Sequence, residues 1–229
     1  MTGIGRPYTV INVAASVDGK IDSVERRGAA LSSERDRARV DDLRASVDAV
    51  MVGGRTLLQE DPRLTVRSAE LRADRAARGK PENPAKVGVV SRPDLRPDCR
   101  FLTVGPARII LFTCGPESES AWLRERHVEV HTSGDSRVDL ALALDTLADL
   151  GIRRLLVEGG GTLNFELLRL GLVDEVRIFV APLVLGGASA PTLADGAGLV
   201  RDLAINLRRV DVEQWEDGGL VLRYMVDQT

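Results

Sequence analysis

The chain has 229 residues, 44% of them apolar, and 34 acids against 31 bases. That is enough for a buried core in one large domain or two small ones, and it excludes a disordered composition. The bases are scattered, no nucleic-acid or anionic-membrane surface is indicated, and no stretch reaches the roughly 18 apolar residues that span a bilayer, so a cytoplasmic protein with a small-molecule partner is expected.

In chain order, MTGIGRPYTVINVAAS lacks a continuous apolar run before a cleavage-like site, and YTVINVAA (8–15) reads as the first strand. Ser33, with Asp36 three residues on, predicts a helix N-terminus followed by Val40, Leu43 and Val47 on one face. DAVMVGG (48–54) is a buried strand, and 68–84, mixing charges with Gly and Pro, predicts a solvated connection. KVGVVS (86–91) and ARIILFT (107–113) are two more strands. Cys99 and Cys114 have no CxxC partner and predict reduced thiols. A two-Cys, two-His site with His127 and His131 is arithmetically possible, but the apolar surroundings of Cys114 and His131 favour packing, and no metal is expected.

Helices are predicted at about 118–126 and 138–150, the second ending at Gly151 as a C′ glycine. RLLVE (154–158) is a strand and 162–170 a short helix. From 174 onward DEVRIFVAPLVLGG, INLRRVDVEQW and LVLRYMV are extended, with Asp217-Gly218-Gly219 as a tight turn before the last. The alternation of strands and helices, then of consecutive strands, predicts an α/β fold with a mixed, mostly parallel sheet and a C-terminal antiparallel hairpin. A single domain over 1–229, with its core at about 8–226, is the economical reading.

Three stretches carry chemistry. In 158-EGGGTLN-164 an acid ends the strand, glycines allow close backbone approach, and a helix opening near Thr162 offers unpaired N–H groups to an anion such as a diphosphate. The alternative is a tight strand-to-helix turn without a ligand. A Rossmann fingerprint is absent, since the third glycine of GxGxxG falls on Asn164. In 53-GGRTLLQEDPRLTVR-67 a second strand end meets glycines, with Arg55, Arg63 and Arg67 suited to phosphate. In 12-NVAASVDGKI-21, Ala14, Ala15 and Ser16 leave room for a planar ring, and Asp18-Gly19-Lys20 forms a turn.

The series N-V-x-x-S-V-D-G-K-I, R-A-x-V-D-A-V-M-V-G-x-x-T-L-x-x-x-D-P-R-L-T-V-R, L-x-E-G-G-G-T-L-N, G-L-V-D-E-V and A-P-x-x-x-G-G-x-x-A-P-T resembles the reductase of riboflavin biosynthesis. This family includes stand-alone archaeal-type diaminohydroxy-ribosylaminopyrimidine phosphate reductases and the C-terminal half of the bacterial bifunctional deaminase/reductase. The resemblance runs from about Tyr8 to Tyr224 in the family's order.

The resemblance implies a dihydrofolate-reductase-like three-layer fold, NADPH as cofactor and a homodimer. It implies hydride transfer to C1′ of a phosphorylated ribosylamino-pyrimidine, giving the ribityl side chain. Carried over by motif, Ala14, Arg55, Thr56, Glu60, Gly159, Gly160, Gly161 and Thr162 would face NADPH, and Asn12, Arg44, Leu64, Arg67 and Glu158 the substrate, with Arg44 and Arg67 on its phosphate. Where many members have Asp-Ser, this chain has Ser91 and Arg92, which would bind the adenosine 2′-phosphate; where bacterial members place Trp stands Ala30. Reduction of an imine and opening of the sugar both call for a proton donor, and Lys20, Asp18 and Glu158 are the candidates. The HxE and PCxxC elements of the zinc deaminase are missing, so a stand-alone reductase is expected. The competing readings are a same-fold NADPH reductase of a pterin-like, folate or secondary-metabolite substrate, and a non-catalytic nucleotide-binding regulator.

Overall fold

The computed structural model describes residues 5–227, arranged as two compact units. One comprises Val40–Leu156 with the segment ending at Pro7; the other comprises Tyr8–Arg39 and Val157 onward. Helix α1 (Glu34–Ser46) starts in the second unit and ends in the first.

The first unit is built on β2 (Ala49–Gly53), β3 (Ala85–Val89), β4 (Ile109–Thr113), β5 (Glu129–Thr132) and β6 (Arg154–Val157), in the order β5-β4-β3-β2-β6. The pairs β2/β3, β3/β4 and β4/β5 are parallel. Every residue of β2 and β3 is buried, and their β-branched content suits strands covered on both faces. Gly88 lies where the sheet leaves no room for a side chain: a Cβ would stand 2.6 Å from Leu111 and 2.8 Å from Leu57. Asp48 closes the sheet's lower edge, accepting from the main-chain N–H of Arg153 and Arg154 and from Lys80 Nζ.

The expectation of a solvated connection over 68–84 is corrected by helix α2 (Ala69–Ala77). The Ser68 hydroxyl accepts from Leu71 N–H and caps it. Arg75, only 2% exposed, folds back to donate to the carbonyls of Ala45, Val47 and Pro81. A charge that looked solvent-facing in sequence is therefore an internal staple. The helix expected at 118–126 is divided into a 3₁₀ turn (Glu117–Ser120) and α4 (Ala121–Arg124), following α3 (Arg100–Thr103). Helix α5 (Leu140–Asp149) starts at the Asp139 cap and ends before Gly151, whose φ is +89°. Cys99 and Cys114 are buried free thiols, and His131 stacks on Phe112 at 5.4 Å.

In the second unit β1 (Tyr8–Ser16) runs parallel to β7 (Glu175–Ala181), which pairs antiparallel with β9 (Leu220–Val226), itself antiparallel to β8 (Leu207–Gln214). The mixed sheet with an antiparallel end follows from these connections: the β8–β9 hairpin needs only the turn at Asp217–Gly219, where Gly218 has φ +84°. Trp215 at the end of β8 packs on Phe179, with Arg35 over its ring at 4.5 Å. Helix α6 (Gly161–Arg169) follows β6.

Candidate active site

The first unit places several expected site residues on two loops. After β2, Arg55 is exposed, and Thr56 is buried where a π-helical turn, Thr56–Glu60, begins; Glu60 is exposed at its end. Asp61 ends the turn at φ +46° and accepts from Phe101 N–H. Arg63 is exposed. The chain then passes through Leu64, which is fully buried at φ +55°. A β-carbon-bearing residue in the left-handed region costs about 1–2 kcal/mol, so this loop is held by its surroundings.

Asp41 is the holder: its two carboxylate oxygens accept from the N–H groups of Arg67 and Ser68 at 2.7 Å each. Arg44 reaches the same loop, donating to Thr65 O at 3.0 Å. Arg44, Leu64 and Arg67 are thus brought together, with the Arg67 side chain exposed above a fixed main chain. Ser91 and Arg92, just after β3, are exposed; the Ser91 carbonyl accepts from Cys114 N–H and the Thr113 hydroxyl.

The second unit gathers the other motifs. The Asp18-Gly19-Lys20 turn is closed by Ser16, whose hydroxyl donates to Asp18 and accepts from Lys20 N–H. Asp18 also accepts from the N–H groups of Leu185 and Gly186, in the segment after β7. The Ser16 hydroxyl, with those two amides, holds the Asp18 carboxyl down at about 2. Lys20 forms a bridge with Thr192, and its Nζ lies 3.4 Å from Ala190 O.

That same 190–195 segment seats the glycine turn. Asp195 N–H donates to Gly161 O, Asn164 Nδ2 donates to Leu193 O, and a Cβ on Gly161 would stand 2.4 Å from Thr192 O. Lys20 and the start of α6 are therefore tied to one strap. The three glycines have different duties. Gly161 is a packing glycine against the strap; Gly159, at φ +99°, faces open space where a Cβ would be; Gly160 caps α6 with no side-chain hydrogen bond. The Gly159–Gly160 peptide is cis. The helix start thus keeps main-chain donors beside a surface without side chains, the arrangement that suits a diphosphate. Thr162 is exposed, Glu158 and Ala14 half-buried, and Asn12 buried.

Motif reading did not reach Asp41, Asp195 or Arg39. Asp36 and Arg39 carried a detectable signal, opposite charges at i, i+3 in a capped helix; Asp41 acts on distant main chain and left none, and the Asp195 carboxylate holds Thr192, three residues away.

The fold defines a dihydrofolate-reductase-like α/β protein. Dihydrofolate reductase from Enterococcus faecalis superposes with a TM-score of 0.54 at 13% identity, covering 97% of this chain and 98% of that one. The RibD C-terminal domain model matches residues 7–221, and the chain belongs to that family. It is 42% identical over 200 residues, 87% of this chain and 91% of the relative, to the 2,5-diamino-6-ribosylamino-4(3H)-pyrimidinone 5′-phosphate reductase of Archaeoglobus fulgidus. The RibD structure of Acinetobacter baumannii matches at TM-score 0.81 and 25% identity over 98% of this chain, which spans 59% of that one. The relatives from Methanothermobacter thermautotrophicus and Aquifex aeolicus carry the same reductase name.

Proposed function

We propose that this protein is an NADPH-dependent reductase acting on 2,5-diamino-6-ribosylamino-4(3H)-pyrimidinone 5′-phosphate, converting its ribosylamino side chain to ribitylamino. The observation that carries this reading is the near full-length likeness to the Archaeoglobus reductase of that name. The same name belongs to the relatives from Methanothermobacter thermautotrophicus and Aquifex aeolicus, at 44% and 34% identity, which favours the undeaminated pyrimidine over the uracil.

The cofactor supplies the hydride. The chain's own work is to bind, align and manage a proton. The α6 N-terminus and the Gly159–Gly160 turn take the diphosphate, with Thr162 beside them. Arg55, Thr56, Glu60, Ser91, Arg92 and Ala14 complete the cofactor set, and Arg44 and Arg67 bind the sugar phosphate as paired guanidinium groups. Asn12, Glu158 and Leu64 contact the remainder of the substrate.

Protonation of the imine nitrogen needs a group that holds a proton near neutral pH. Asp18, ionised above about pH 2, does not; its work is to hold the loop at Leu185 and Gly186. Lys20 and Glu158 remain the candidate proton donors. The homodimer implied by the family resemblance belongs to the same proposal, and β8, exposed along its whole length, is an edge open to a second copy.

The test is oxidation of NADPH followed by absorbance with the diamino-pyrimidinone and amino-uracil phosphates side by side. Turnover of the first well above the second is expected. Binding of NADPH with turnover of neither would transfer the protein to a sister reductase with another substrate.

A further inference from the structure

Within the second unit a polar chain runs from the start of α1 to β1. The Ser33 hydroxyl accepts from Asp36 N–H and caps the helix, which places the Asp36 carboxylate in the first turn. Asp36 Oδ1 accepts from both Nε and Nη2 of Arg39, at 2.9 and 2.7 Å. Arg39 Nη2 also donates to Asn12 Oδ1 at 2.9 Å. The Asp36 side chain is 1% exposed and that of Arg39 14%, so this is a buried pair.

The pairing is not the one that favours stability. A guanidinium and a carboxylate gain most when two parallel N–H···O bonds join them. Here both bonds fall on a single oxygen, while Asp36 Oδ2 and Arg39 Nη1 are buried without a partner among the described residues. Leaving such atoms unmatched is costly, and the geometry that does so turns Nη2 onto Asn12. The guanidinium carries donors only, so it fixes the amide with its oxygen inward whichever way the group would otherwise rotate. Asn12 Nδ2, for which no protein acceptor is found among the described residues, becomes the outward end.

We infer that Arg39 is a positioning residue, set by Asp36, that locks Asn12 to present an N–H donor to an acceptor oxygen of the pyrimidine phosphate. The inference rests on the function proposed above and assigns a role to two residues outside its binding set. An unlocked Asn12 would spend part of its time with the wrong end outward, weakening recognition of that oxygen and of nothing on NADPH.

The test is steady-state kinetics on Arg39→Gln, Asn12→Ala and the double variant. Arg39→Gln is expected to raise KM for the pyrimidine phosphate about tenfold, the value of one hydrogen bond, and to leave KM for NADPH within about twofold. On the Asn12→Ala background the same substitution should add less than about twofold, because its effect passes through that amide. Should Arg39→Gln fail to fold around the uncompensated Asp36, Asp36→Asn/Arg39→Gln removes both charges and is measured in its place, with the same expectation. Multiplying effects, equal changes in both KM values, or no change would each overturn the role of Arg39. A wild-type protein that does not turn over the pyrimidine phosphate would overturn the function on which it stands.

Discussion

At the scale of single residues, 159-GGG-161 holds three positions with different physical demands. Gly161 has no room for a side chain because Thr192 O and Asp195 lie against it. Gly160 has φ −79° and ψ −175°, an extended backbone that any residue adopts, so its lack of a side chain matters for what approaches from outside. Gly160→Val is therefore expected to weaken NADPH binding by at least about tenfold, measured by titration, with the melting temperature nearly unchanged. Loss of fold without a specific loss of affinity would place the diphosphate elsewhere. The glycines and the acid before them were legible in sequence; their division of labour was not, because the strap that fills the space beside Gly161 comes from about thirty residues further along.

At the scale of elements, α2 shows where periodicity misleads. ELRADRAARGK is dense in charge and ends at Gly and Pro, so its pattern matches a solvated loop. What makes it a helix that belongs to the fold is one cap and one buried arginine. Arg75→Ala would strand the carbonyls of Ala45, Val47 and Pro81 and is expected to cost about 3 kcal/mol in urea denaturation. A loss under about 0.5 kcal/mol would show the staple to be ornamental. The strands were easier to read, since their apolar, β-branched runs reflect burial directly: β1, β2, β3 and β4 begin and end within about two residues of their expected limits.

At the scale of the whole molecule, stability should carry the mark of a buried cation. Lys86 is fully buried on β3, donating to the carbonyls of Phe101 and Val104, and burial pushes its ammonium down from 10.5 to about 8. Below pH 8 folded and unfolded chains both keep the proton. Between 8 and 10.5 the unfolded chain holds more protons, so the stability contributed at this site rises with pH across that window. The unfolding free energy of the wild type minus that of Lys86→Met is expected to climb by up to about 3 kcal/mol over the window. A flat or falling difference would mean that the ammonium keeps its proton in the folded state.

The sequence by itself determined the strand and helix alternation, the antiparallel end and the family. Those follow from local pattern and from motifs whose residues are neighbours in the chain. Tertiary structure alone decided that Asp18 anchors the loop at Leu185 and Gly186, that Leu64 is fully buried, that Arg75 is internal, and that Arg39 donates to Asn12. Most of these are set by partners far away in sequence. Side-chain burial and hydrogen-bond geometry depend on such partners, and the type of a residue says which bonds it can make without saying which it does.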